Sequence, residues 1–200
     1  MGIALGDTAN ASKAYSMALG ASSVASEENA IALGRSSVAS GSDSLAFCRQ
    51  SLASAANAIA IGAETEAAEN ATAIGNNAKA KGTNSMAMGF GSLADKVNTI
   101  ALGNGSQALA DNAIAIGQGN KADGVDAIAL GNGSQSRGLN TIALGTASNA
   151  TGDKSLALGS NSSANGINSV ALGADSIADL DNTVSVGNSS LKRKIVNVKN

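Results

Sequence analysis

The sequence predicts an all-β solenoid, a stack of 14-residue coils that each carry two short strands. Three observations predict it. An aliphatic–Ala–aliphatic–Gly phrase returns at a fixed interval, small and large residues alternate around it, and Gly or Asn separates the alternating runs. Alternation with a period of two marks strands, and Gly or Asn tolerates the backbone of tight turns. A helical reading fails, because Gly and Ser recur where they would break every helix.

The closing glycine falls at Gly6, Gly20, Gly34, Gly62, Gly75, Gly89, Gly103, Gly117, Gly131, Gly145, Gly159, Gly173 and Gly187, with Cys48 in the one missing slot. Every step is 14 residues except the 13 from Gly62 to Gly75, where the turn in "TEAAEN" before Asn70 is one residue short. The octapeptide IALGNGSQ recurs whole, at Ile100–Gln107 and Ile128–Gln135. Such self-similarity is the mark of a repeat architecture. Fourteen coils at about 4.8 Å each make a rod of about 65 Å.

Each coil opens on the phrase itself, as its first strand. Three residues after the glycine comes a small polar residue (Ser37, Ser51, Thr65, Ser92, Ser106, Ser134, Ser162) and five after it an Ala (Ala25, Ala39, Ala94, Ala108, Ala164), giving a second strand. Seven after it another Gly is frequent, and nine after it Asn, which together turn the chain back. The restricted Ala and Ser positions are expected to face each other inside a thin roll. The larger residues of the first strand, Ile100/Leu102, Ile114/Ile116 and Ile128/Leu130, must then face outward and be covered by other subunits. Two aliphatic side chains per coil are too few to stabilise a lone rod, so an oligomer is expected. The residue four after each glycine is unconstrained and points outward from the second strand. Its apolar members Val24, Val38 and Leu52 fall in line, and a contiguous strip of this kind can be a contact site. Many weak contacts along such repeats add up by avidity.

Composition excludes several classes. The chain has no Pro, His or Trp, and only Tyr15, Phe47 and Phe90 are aromatic, so a compact core of large side chains is out of reach. Net charge is −2, and Lys192, Arg193, Lys194 and Lys199 gather at one end, so no basic body exists to track nucleic acid. With one cysteine there is neither an intrachain disulfide nor a cysteine zinc site. Cys48 is expected to be a small buried side chain; the alternative is that copies from neighbouring subunits meet and pair. Four coils carry Gly-x-Gly (from Gly89/Gly91 to Gly131/Gly133) without the third Gly and helix of a nucleotide fingerprint, so these are turns. Asn-x-Ser triplets such as Asn104–Ser106 follow from the phase of the repeat. Acid pairs such as Glu27/Glu28 and Asp179/Asp181 have no His or cleft beside them and read as solvated turns, not as acid–base groups. Ice binding would need a flat exposed hydroxyl array, whereas here the hydroxyls alternate with Ala on the packed side. No enzyme activity, cofactor or metal is expected.

The phrases "NSVALG" at Asn168–Gly173, "NTIALG" at Asn98–Gly103 and "NAIAIG" at Asn112–Gly117 resemble the head repeat of trimeric autotransporter adhesins, the YadA-like head. The end, "DNTVSVGNSSLKRKIVNVKN", resembles the last head repeat running into that family's neck. Departures are Cys48 for Gly, Ser185 for Ala, Thr72 for a larger aliphatic, and the 13-residue step. The resemblance implies a left-handed parallel β-roll assembled as a homotrimer, with head repeats over 1–187 and the start of the neck over 188–200. It also implies a place outside a Gram-negative bacterium, with a stalk and an outer-membrane anchor beyond residue 200. The implied function is attachment to a host matrix or cell-surface protein such as collagen, fibronectin, laminin, immunoglobulin or an epithelial receptor; a spacer that only projects other binding elements is the alternative. Leu191, Ile195 and Val198, spaced i, i+4, i+7 amid Lys192, Arg193 and Lys194, are expected to leave the roll and cross toward neighbouring subunits.

Overall fold

The computed structural model describes residues 1–198, and Lys199, the fourth cation of the terminal cluster, lies outside the described residues. The described residues form strands, turns and bends without a helix. The strands run from β1 (Ile3–Leu5) and β2 (Asn10–Ala11) to β26 (Ile177–Ala178) and β27 (Val184–Ser185). Odd-numbered strands stack into a 14-stranded sheet and even-numbered strands into a 13-stranded one. All pairings between successive coils are parallel and join equivalent residues, such as Ile100 with Ile114 and Ala101 with Ala115. The molecule is a parallel β-solenoid. The expectation of fourteen two-strand coils needs one correction, because among the described residues the last coil has a first strand and no second.

Register comes from the alternation. Between the two end coils, the central Ala of each phrase is buried within the chain, as are the Ala and small polar residue of the second strand, including Ala101, Ala115, Ser106 and Ala108. A one-residue slip would turn this whole set outward. The space between the two sheets is thin, so its apolar core is built of Ala, with small polar residues beside it. The shortened step keeps register too: Glu66 pairs with Lys79 and Thr72 with Ile59. The missing residue therefore lies in the turn between Ala67 and Thr72.

Two turns per coil satisfy most of the buried hydroxyls locally, Ser85 and Ser134 being left without a partner. At the first, Ser37 donates from both N–H (3.2 Å) and Oγ (2.8 Å) to Gly34 O. At the second, Thr99 Oγ1 donates to Lys96 O at 2.6 Å in the same three-residue pattern. The Asn rank sits at positive φ, and its side chains also bond from coil to coil, Asn98 Nδ2 to Asn112 Oδ1 at 3.1 Å and Asn112 Nδ2 to Asp126 Oδ1 at 2.9 Å. Glycine has two different reasons to recur. Gly105 lies at φ +64 with open space around it, so only its backbone conformation demands Gly. Gly82 has no positive φ, but a Cβ there would stand 1.7 Å from Lys96 O, so close approach of the next coil demands it.

Cys48 is half-buried, not buried as expected. It takes the place of an anchor glycine at φ 103, at the corner where the first strand ends, and there its side chain meets solvent.

Candidate functional site

Among the described residues, no three His, Cys, Asp or Glu side chains converge as metal ligands. The candidate site is instead the set of side chains that the solenoid displays.

The largest displayed set is the outer face of the 14-stranded sheet. Ile100, Leu102, Ile114, Ile128 and Leu130 are half-buried and Ile116 is 37% exposed, while the Ala between each pair is buried inside. The face carries two such columns along the rod, broken in one of them by Thr72, with Phe47, Met86, Met88, Ile142, Leu144 and Leu172 among its more exposed members. A contiguous apolar wall of this length is well beyond what solitary soluble domains leave uncovered.

The 13-stranded sheet displays a different rank. Val24, Val38 and Leu52 stand in register on adjacent strands, each half-buried beside a buried Ala. The same rank continues as Glu66, Lys79, Leu93, Gln107 and Lys121, so the apolar strip ends after Leu52. Single ion pairs near this face reach solvent, Arg49–Glu64 at 2.8 Å being exposed and Lys121–Asp123 at 3.0 Å half-buried, and contribute little to stability.

One exposed rank escaped the sequence reasoning. Eight residues after the anchor, Val97, Val125, Leu139 and Ile167 project from the second turn, Ile167 at 53% exposure. In the same rank Asp111, Asp153 and Asp181 accept the backbone N–H of Val97, Leu139 and Ile167 at 3.2, 2.9 and 2.7 Å. The signal was in the spacing, but it lay inside a segment already read as turn.

After β27 the chain leaves the ladder. Residues 188–198 form neither helix nor strand. Leu191, Lys192, Lys194, Ile195 and Val198 are exposed, while Arg193 is half-buried against the last coils. Together with Ile177, Asp179 and Val184 this segment lines an open cleft of about 430 Å³.

Comparison with known proteins gives the same repeat. A family model described as the YadA head domain repeat (two copies) matches residues 2–23, 25–47, 49–65, 67–92, 94–120, 110–134, 122–146, 136–162 and 164–190. No curated protein matches the chain. Among solved structures, the chain is similar to the collagen-binding domain of the Yersinia adhesin YadA, at 21% identity over 99% of this chain and 87% of that one, with a TM-score of 0.26. The two do not superpose as whole bodies, and the fold rests on the ladder described above.

Proposed function

The chain belongs to the YadA head family, and from that premise we propose that it is the head of a trimeric surface adhesin that holds a host protein on its outer faces. The observation that carries this reading is the apolar outer wall of the 14-stranded sheet, left part-exposed in a single chain over fourteen coils. Two further copies cover it, with Ile100/Leu102, Ile114/Ile116 and Ile128/Leu130 at the packed seam. The far end of the 188–198 segment leads toward the neighbouring subunits and locks the three rolls together. The head stands on the outside of a Gram-negative bacterium, carried by an outer-membrane anchor elsewhere in the longer protein. Host contact then falls to the other sheet, whose Val24–Val38–Leu52 strip stays outside the seam.

The test is titration of the purified protein, at measured oligomer mass, against immobilised collagen, fibronectin, laminin, immunoglobulin and epithelial receptors. The expected result is a trimer that binds one of these saturably. Replacing Val24, Val38 and Leu52 together with Lys leaves the trimer intact and weakens binding about tenfold or more, since repeated contacts multiply. A monomer overturns the assembly; equal binding by the Lys variant moves the contact elsewhere; no binding to any ligand favours a passive spacer.

A further inference from the structure

The ladder of a solenoid leaves a difficulty at its last coil, where carbonyls that point along the rod find no next coil. In the body of the rod the carbonyl after one anchor glycine accepts an N–H from the coil that follows, as Ser160 O does from Asp175 at 2.8 Å. The carbonyl before the anchor accepts the N–H of the next anchor, as Leu158 O does from Gly173 at 2.7 Å. The same pattern leaves Ala174 O and Val186 O facing a coil that is not formed by the described residues. Val186 O is part-buried, and a carbonyl withdrawn from water without a donor is costly.

Arg193 supplies both. Its Nη1 donates to Val186 O at 2.6 Å and to Ser176 Oγ at 2.8 Å, and its Nη2 donates to Ala174 O. Ser176 shifts with it, donating to Leu172 O at 2.8 Å, whereas its counterpart Ser162 donates to its own anchor, Gly159 O, at 2.7 Å. Asn188 assists through Nδ2, which donates to Asp175 O at 2.8 Å.

The position of the guanidinium is as telling as its bonds. A Cβ on Gly145 would meet the carbonyl carbon of Gly159 at 2.6 Å, and one on Gly159 would meet that of Gly173 at 2.5 Å. A Cβ on Gly173 would instead meet Arg193 Cζ at 3.1 Å. The guanidinium therefore lies where the next anchor peptide would lie. Both groups are flat and edged with N–H donors, and guanidinium offers them in a fixed fork that can serve two carbonyls at once.

We propose that Arg193 is the terminal cap of the solenoid, its guanidinium replacing the peptide of the coil that does not form. The cap ends the ladder and fixes where the chain leaves the roll. Residues 188–193 then belong to the roll they follow, and the stretch free to reach another copy starts at Lys194, with Ile195, Val196 and Val198 exposed. This assignment holds within one chain and does not rest on the trimer.

Amide hydrogen exchange on the full chain tests it, with oligomer mass measured in parallel. Arg193→Ala speeds exchange over Val170–Gly187 about tenfold or more, through loss of charge-assisted bonds, and leaves Ile59–Ala101 at the parental rate. Lys192→Ala changes neither region. Arg193→Lys, a point charge unable to span two carbonyls, gives a smaller acceleration confined to the last coils. It also serves as the deciding variant if Arg193→Ala yields no soluble protein. Parental exchange in Val170–Gly187, or equal acceleration of both regions, overturns the cap. Dissociation of the oligomer with unchanged exchange in the last coils likewise overturns it, while leaving a neck that crosses between subunits standing.

Discussion

The coils anchored at Gly89 and Gly103 and those anchored at Gly117 and Gly131 share one backbone but satisfy their buried polar groups differently. In the first pair, Ser92 and Ser106 donate through Oγ to their own anchor carbonyls, Gly89 O and Gly103 O, at 3.0 and 3.1 Å. In the second pair, Asn120 takes the serine position, fully buried, and reaches into the next coil. Its Nδ2 donates to Gly131 O at 2.8 Å and its Oδ1 accepts Ser134 N–H at 2.9 Å. Ser134 loses its anchor carbonyl to this bond, and its Oγ is left without a partner. Five residues after Gly131 the usual Ala is Ser136, paired with Thr141 at 2.7 Å. The Ala core accordingly breaks in two, one cluster ending at Ala129 and the other beginning at Ala143. Local satisfaction makes coils interchangeable. A side chain that bonds across coils makes two neighbours specific to each other, at the cost of one orphaned hydroxyl.

The largest effect is expected in the regular region. Ala101→Leu forces three extra carbons between the two sheets and should destabilise by about 3 kcal/mol or more, read as a fall in the urea midpoint. A neutral result would mean that the Ala core has room to spare. The sharper test uses one substitution at two equivalent positions. Ser106→Ala removes a made bond and costs about 1 kcal/mol, whereas Ser134→Ala removes an unpaired buried hydroxyl and gains about 1 kcal/mol. Equal signs in urea titration would dissolve the contrast between the regions. The smallest effect belongs to Ser136→Ala. Thr141 Oγ1 keeps its bond to Gly138 O at 2.7 Å, so joining the two Ala clusters should stabilise by about 0.5 kcal/mol, visible as a small rise in melting temperature.

Most of the fold was legible because a repeat writes its structure locally. Strands, turns, inward and outward ranks and the shortened step all follow from residues within one 14-residue unit. What was not legible lies between units or beyond them. Asn120 looks like a polar substitute for Ser, and nothing within its own coil reveals that it binds Gly131 and Ser134. Arg193 reads as one of a run of solvated cations; its contact with Gly173 spans twenty residues, which is no multiple of the repeat. The apolar corner of Val97, Val125, Leu139 and Ile167 was hidden by its place in a turn. Of the candidate site, the outward ranks could be located from alternation alone. Which of them meets a partner depends on a second molecule that no periodicity encodes.

The ladder bonds run along the rod while the strands lie across it. A force applied between the two ends of one chain therefore loads the bonds of a single terminal coil, not of all coils together. The coil yields like one tooth of a zipper, and each tooth releases about 45–50 Å of chain before the next is strained. Arg193 sits at the end where that opening would start, because its guanidinium bonds both of the last two coils. A force across the rod meets the opposite case, shared by every coil it touches. Such a body is stiff to a sideways push and gives way stepwise to a pull along its length.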